Sequence, residues 1–574
     1  MNYKWNYQPL TEEQKNESIE LAKELNIHPI LGQLLQQRNI KTKEEVERFF
    51  QPDLKELHDP FLMQDMDIAV DRLNKAIGSK ERILVYGDYD VDGTTAVALV
   101  YKFIRQIYSN ITYYIPDRDD EGYGVSKQGI DFAYEDGVSL IIVLDCGIKA
   151  VKQIAYAKKK GIDFIICDHH VPDEVLPPAV AILNPKRLDN TYPYTHLSGC
   201  GVGFKFMQGF AINNGIKFRR LKPLLDLVAV SVASDIVPIC GENRILTFHG
   251  LKQLNRHPCV GLKAIIDITS LTKKDITTSD IIFKIGPRIN ASGRMQSGKE
   301  AVDLLVENNY QLAREKAEQI NQYNEARKDL DKGVTEEANR IVDEYKELDS
   351  KRSIVLYNES WHKGVIGIVA SRLTEEYYRP AVVLTRTENY ATGSARSVPG
   401  FDVYKAIEHC RDLLDSFGGH TYAAGLSMRV ENVPIFAKRF EKYVAENILP
   451  EQTNAVLQID AELEFKDITK KFLKNLQRFE PFGPTNEKPI FSTHHVYDYG
   501  TSKVVGRNQA HIKLELVDNN SNSIMNGIAF GQSSHVRYIK TKQAFDICYT
   551  IEENIYKKGE IQLQIEDIKP RIDS

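Results

Sequence analysis

The apolar positions divide the chain into blocks of different period. Residues 1–60 place Leu21, Leu25, Ile30, Leu31, Leu34 and Leu35 on amphipathic helical faces, and Pro60 ends the segment. This segment is expected to pack on the domain that follows and to carry no chemistry of its own. From residue 61 onward short apolar runs alternate with helical stretches: ILVY (83–86), LIIVL (140–144), a run ending near Cys167, and VAILNP (180–185). That alternation predicts a parallel sheet with helices on both faces. Residues 299–349 are charged, with Leu304, Leu305, Leu312, Ala313, Ala317, Ile320 and Ile341 as an interrupted stripe. They read as a connector helix with Gly333 as its expected kink. Residues 350–449 form a second α/β unit, opened by RSIVLYNESWHKGVIGIVASRL as strand, loop and helix. Beyond 450 the period drops to two, in VLQIDAELEF (456–465), HIKLELV (511–517) and EIQLQIEDI (560–568). These predict a small antiparallel β-barrel. The fold class is therefore multidomain α/β: two α/β domains joined by a long helix, with a C-terminal barrel.

In open parallel sheets ligands bind just past the carboxyl ends of the strands. Those ends carry Asp88, Asp90 and Asp92 in GDYDVDG, Asp145 in LDCG, and Asp168, His169 and His170 in CDHH; Asp235 closes the apolar segment LLDLVAVSVASD. Like charges against apolar strands repel and resist desolvation, and a bound cation relieves both problems. Asp-x-Asp-x-Asp-Gly also opens a calcium EF-hand loop. That loop needs a Glu at its twelfth position, where Leu99 stands, and it follows a helix rather than a strand. Thr94 or Thr95 is the expected cap of the helix that follows. Carboxylate and imidazole without thiolate suit Mn²⁺ or Mg²⁺ better than a structural zinc. More ligands are present than one ion needs, which suggests a pair ~3.5–4 Å apart and hydrolysis of a phosphoester or phosphoanhydride. Cys146 and Cys167 adjoin the acids and read as packing residues.

At 574 residues the chain exceeds one core. A net charge of −5 leaves only a local basic groove for nucleic acid. Candidates for such a groove are Arg118, with Tyr113, Tyr114 and Tyr123 as base-stacking candidates, in YYIPDRDDEGYG (113–124), and Arg288 and Arg294 in a Gly-rich loop, GPRINASGRM (286–295). Ser394 and Arg396 in ATGSARSVPGFD and His420 in SFGGHTYAAGLSM add Gly-rich turns that present backbone N–H groups to anions. Seven cysteines without a CxxC pair fit a reducing compartment. The N-terminus has no apolar leader and no run approaches about 18 apolar residues, so a cytoplasmic protein without membrane attachment is expected.

Asp168-His169-His170, with GDYDVDG, LDCG and ASD in the same order, resembles the DHH phosphoesterase superfamily, and in detail its single-stranded-DNA-specific 5′→3′ exonuclease branch. Relatives acting on small phosphates carry a His upstream of the paired acids; Tyr86 stands there, with Asp88 in its place. The resemblance implies that Asp88, Asp90 and Asp145 hold one ion of Mn²⁺ or Mg²⁺, and that Asp92, Asp145, His169 and Asp235 hold a second. It further implies that His170 and Arg294 lie beside the reacting phosphate, Asp168 orients a histidine, and Arg118 and Arg288 contact substrate. Ser394 and Arg396 would bind a 5′-phosphate, and His420 would face the active site. By the same resemblance residues 61–298 are the DHH domain, 350–449 a DHHA1 clamp, and 450–574 an OB-fold that tracks DNA, braced by RFEPFGPTNEKP (478–489). The implied activity releases 5′-mononucleotides in DNA repair and recombination. A monomer is expected, with a single-stranded-DNA-binding protein and a RecQ-type helicase as partners. The competing readings are a phosphodiesterase for short oligonucleotides or cyclic dinucleotides and a non-catalytic DHH replication scaffold.

Overall fold

The apolar runs close into four sheets among the described residues; a computed structural model describes residues 3–118, 120–269, 271, 275–344, 350–554, 557 and 559–571. Two compact units result. One comprises Asp59–Asp235 and Gly250–Ala455; the other comprises Tyr3–His58, Ile236–His249 and the chain from Val456 onward. The chain opens with strand β1 (Lys4–Tyr7) and helices Glu12–Glu24, Pro29–Gln37 and Lys43–Phe50. Capping boxes Thr11/Gln14 and Thr42/Glu45 start the first and third helices by satisfying their orphan N–H groups.

In the first unit β2 (Arg82–Gly87), β3 (Ile111–Tyr114), β4 (Val138–Leu144), β5 (Asp163–Cys167) and β6 (Ala181–Leu183) make an all-parallel sheet in the order β3-β2-β4-β5-β6. The chain reverses its direction of winding between β2 and β4, so the carboxyl ends of these two strands flank a topological switch point. Asp88 follows β2 there and Asp145 follows β4. The segment 286–295 is not a loop. A π-turn, Ile281–Ile285, runs into helix Gly286–Met295, with Pro287 in its first turn where a missing N–H costs nothing. Its glycines serve close approach instead: a Cβ on Gly293 would sit 2.8 Å from the Tyr89 carbonyl oxygen. The predicted connector is two helices, Lys299–Leu305 and Tyr310–Asp343, separated where Asn309 caps the second. The longer helix runs unbroken through Gly333; residues 345–349 of the expected connector lie outside the described residues. Then β7 (Ile354–Tyr357), β8 (Ala381–Thr387), β9 (Tyr390–Arg396), β10 (Ser416–His420) and β11 (Ala423–Arg429) form a mixed sheet ordered β10-β11-β9-β8-β7.

In the second unit β12 (Val456–Ile459) pairs in parallel with β1, a strand the sequence pattern did not suggest. After β13 (Ala461–Glu462) come β14 (Phe491–Asp498), β15 (Lys503–Val505), β16 (His511–Asp518), β17 (Ile524–Ala529), β18 (Phe545–Glu553) and β19 (Ile561–Pro570). Pairing of β14 with both β18 and β16 closes a five-stranded barrel, β14-β18-β19-β17-β16, whose β17–β19 seam is parallel rather than antiparallel. Leu31, Leu34, Leu35, Val46 and Phe50 share one apolar core with Phe479, Phe491, Leu514, Phe545 and Tyr549. The N-terminal helices expected to pack on the DHH domain therefore bury their apolar faces with the barrel. A single helical stripe cannot be assigned to a partner from its own periodicity. Among the described residues no helix is long and apolar enough to cross a membrane.

Candidate active site

The acids after β2 are held by a helix start. Asp90, not Thr94 or Thr95, caps helix Val91–Arg105: its Oδ1 accepts the Gly93 N–H at 3.0 Å, and the Thr94 hydroxyl donates to the Asp90 carbonyl at 2.6 Å. Asp92 is buried two residues on, in the helix's first turn. Its carboxylate accepts the N–H groups of Gly199 and Cys200 at 2.6 and 2.7 Å and the Ser231 hydroxyl at 2.7 Å. Asp92 thus sits at the positive end of helix Gly199–Asn213. Asp145 adopts a left-handed backbone, φ +59°, with its N–H donating to the Cys167 carbonyl. Gly199 packs so closely that a Cβ there would lie 2.6 Å from Asp145 Oδ1.

Ligand atoms therefore meet from four places: the turn after β2, the ends of β4 and β5, and the end of helix Leu225–Ser234. One group is Asp88, Asp90 and Asp145; a second is Asp92, His169 and Asp235; a third combines Asp145 with His169 and His170. Within each group the atoms lie within 4.8 Å of one another. His169 Nε2 is 3.2 Å from Asp145, 3.6 Å from Asp235 and 3.8 Å from Asp92. Both ring nitrogens of His169 and one oxygen each of Asp88 and Asp145 are buried without a hydrogen-bond partner among the described residues. Burial lowers the His169 pKa and keeps the ring neutral, the ligating form. Burial, and then the charges of Asp92, Asp90, Asp235 and Asp88, push the Asp145 carboxyl well above its ordinary range. Asp235 is pushed up to about 9, by burial and then by Asp92 and Asp90. Orphaned donor atoms and mutually repelling carboxylates around a neutral imidazole fit hard divalent cations such as Mn²⁺ or Mg²⁺.

Asp168 faces away from this group. It accepts the N–H groups of Ile148, His169 and His170 and pairs with His170 Nδ1 at 2.8 Å. Burial alone would raise it, but these bonds and the neighbouring imidazoles hold it at about 2. Against its own burial, the bond to Asp168 raises His170. Tyr123, exposed at the cluster, brings its hydroxyl within 3.4 Å of His170 Nε2. Tyr114 instead stacks on Tyr86, and Tyr113 binds Asp303, so neither is free for a base.

The arginines gather on the Asp88 side. Arg118 lies over the Tyr89 ring at 5.3 Å. With Asn290, Gly293 and Arg294, these residues and Asp90 line a cavity of about 120 Å³. Arg294 donates to the Gly364 carbonyl at 3.1 Å. Burial, followed by the charges of Arg118, Arg327 and Arg396, pulls Arg294 down to about 10. Arg396 donates to Ser394 Oγ at 2.8 Å. Arg288 is spent differently, donating to Asn321 and the Lys284 carbonyl, which braces its helix on the connector. His420, at the β10–β11 hairpin, lies in the field of His170, Lys149 and Lys186. Sequence reasoning missed Ser231, which donates to Asp92 and carries no local signal.

Fold and site together define a DHH-type hydrolase. The DHH family N-terminal domain matches residues 82–232, the DHHA1 domain 350–446 and the RecJ OB domain 459–567. The chain belongs to the RecJ family of single-stranded-DNA-specific exonucleases: it is 32% identical over 580 residues to the RecJ of Haemophilus influenzae, covering 97% of this chain and 99% of that protein. The RecJ of Bacillus subtilis is 36% identical over 503 residues, covering 87% of this chain, which spans only 63% of that longer relative. The Thermus thermophilus RecJ structure in complex with Mn²⁺ shares the fold at a TM-score of 0.84 and 23% identity, covering 100% of this chain and 80% of that one. A second solved exonuclease RecJ, bound to manganese, aligns at 0.60 and 28% identity, covering 70% of this chain and 98% of its own.

Proposed function

We propose that this chain is a metal-dependent exodeoxyribonuclease that enters single-stranded DNA at a 5′ end and releases 5′-mononucleotides. The observation that carries this is the meeting of two ligand groups, Asp88/Asp90/Asp145 and Asp92/His169/Asp235, around Asp145. When bound there, two divalent ions supply Lewis acidity and water activation at neutral pH. The protein's share is positioning. Asp92 is locked by three donors and His169 is presented neutral. His170, held by Asp168, is placed to donate a proton or hydrogen bond to a phosphate oxygen. Arg118, Arg294, Ser394 and Arg396 form an anion-binding group beside the acids, suited to a terminal 5′-phosphate. A blocked terminus at a fixed distance from the ligands favours exonucleolytic over internal cleavage.

In this reading residues 61–298 are catalytic, 350–449 clamp the terminus, and the barrel carries the strand. Association with a single-stranded-DNA-binding protein and a RecQ-type helicase belongs to the same reading. Strands labelled at either end, incubated with and without Mn²⁺, test it directly. The expected product is a mononucleotide from the 5′ side only, and only with metal. Faster turnover of a dinucleotide or cyclic dinucleotide than of a long strand would favour the small-substrate alternative instead.

A further inference from the structure

The acidic cluster has two flanks, and only one has been given a role. Asp88 lies in the field of Arg118, among the crowded arginines. Asp235, at the other flank, lies in the field of Lys186. Lys186 stands two residues beyond Asn184, on the turn that follows β6, the strand next to the one that delivers Asp168, His169 and His170. Its backbone is fixed from several sides. The Lys186 N–H donates to Asn184 Oδ1 at 2.8 Å, and fully buried Asn184 donates to the His170 carbonyl at 2.9 Å. Asn190 donates to the Pro185 carbonyl, and Arg187, also buried, is tied to Asp65, Asp189 and the Ile182 carbonyl.

The Lys186 side chain, in contrast, has no hydrogen-bond or ion-pair partner among the described residues, although it is half-buried. The acids in its field are already engaged. Asp168 accepts four donors, and Asp235 is turned to His169 at 3.6 Å. Lys149 holds Asp173 at 3.4 Å at an exposed position, and both lysines act on His420. A half-desolvated ammonium on a rigid turn, aimed at no protein acceptor, is arranged for an anion from outside.

We propose that Lys186 forms a second phosphate subsite on the DHH side, gripping a backbone phosphate on the 3′ side of the bond being cut. This rests on the exonuclease reading for the direction of the strand: the arginine flank takes the terminal phosphate, so the opposite flank meets the strand that is retained. Lys186 is a positioning residue for the remaining strand, which lets the chain hold DNA after each nucleotide leaves.

The test compares wild type with Lys186→Gln, Lys186→Met and Lys186→Arg. Binding of a 5′-phosphorylated strand of about ten nucleotides is followed by fluorescence anisotropy in chelator, over a range of salt. Lys186→Gln and Lys186→Met are expected to raise Kd about tenfold. They should also make the slope of log Kd against log salt shallower by about 0.7, one single-strand phosphate contact. Lys186→Arg should keep both near wild type. With Mn²⁺ the loss should fall on KM more than on kcat, with the preference for 5′-phosphate over 5′-hydroxyl kept. An unchanged Kd and slope in folded Lys186→Gln overturns the subsite. So does loss of the 5′-phosphate preference, which would place Lys186 at the other flank. Failure of Lys186→Arg to retain the slope, or unfolding of the neutral variants, would make the lysine structural and also overturn it. A wild type that binds with a Lys186-dependent slope but never cleaves would instead remove the exonuclease reading and leave the subsite standing.

Discussion

Asp145 is constrained twice, by a left-handed backbone and by Gly199 against its carboxylate. Such strain persists only where surrounding structure enforces it. Replacing Asp145 with Ala is expected to abolish cleavage while strand binding survives in part; near-normal turnover by this variant would remove the binuclear arrangement. Gly199→Ala would drive a Cβ to 2.5 Å from the Asp145 Cβ. A displacement of that kind is expected to cost about 100-fold in kcat/KM and to weaken Mn²⁺ binding measured by calorimetry. Arg396→Ala is expected to reduce the preference for a 5′-phosphate by about tenfold, read as the ratio of kcat/KM on phosphorylated and hydroxyl strands. At this scale the acids were legible, because three carboxylates at alternate positions after an apolar strand have few bland explanations. The fate of Tyr113 and Tyr114 was not: whether a tyrosine stacks on Tyr86 or faces a base depends on the register of β3 against β2, which no local pattern reports.

Glycine misled at the level of elements. GPRINASGRM carries the composition of a loop, yet its glycines let a helix approach Tyr89 and Ser234. Gly293→Ala is expected to shift that helix, and Arg294 with it, lowering kcat/KM without unfolding the protein. In the barrel, β14 bulges at His494 and His495, and Asp546 on β18 holds both, accepting the His495 N–H and lying 3.1 Å from His494 Nδ1. Burial would raise Asp546, but His494, the His495 N–H and Arg571 hold it at about 2; the bond to Asp546 raises His494. The depressed carboxyl contributes stability that is present above its unfolded value of ~3.9 and is lost as pH falls toward ~2. The raised imidazole contributes stability that is present below ~6.5 and is lost as pH rises through its elevated folded value. The barrel is thus expected to melt earlier when pH is raised from ~6 to above ~8, by under about 1 kcal/mol because the pair is partly exposed. His494→Gln should flatten that dependence in thermal melts followed by circular dichroism. Neither the bulge nor its partner can be read from the alternating pattern, which marks strands without pairing them.

For the whole molecule the block pattern gave the two α/β domains, the connector and the barrel in order, because each has its own period. It did not reveal that the second unit is assembled from three separated stretches, since burial against a distant segment leaves the same apolar stripe as burial against a near one. Leu34 lies in that shared core. Leu34→Ala is expected to cost about 2–5 kcal/mol and to raise hydrogen exchange in β14, β18 and β19, while the strands bearing Asp88 and Asp145 stay protected.

That shared core also sets an order of events during synthesis. Some 400 residues separate Phe50 from Ala461, roughly 20–80 s of translation at ~5–20 residues per second. Through that interval the apolar face that the first three helices share with the barrel lacks its barrel partners, while the acid-bearing sheet, whose strands lie within about a hundred residues of one another, has already been synthesised. The acid-bearing sheet can therefore form on the ribosome well before the barrel exists, and the earliest-made residues of the chain are among the last to find their place.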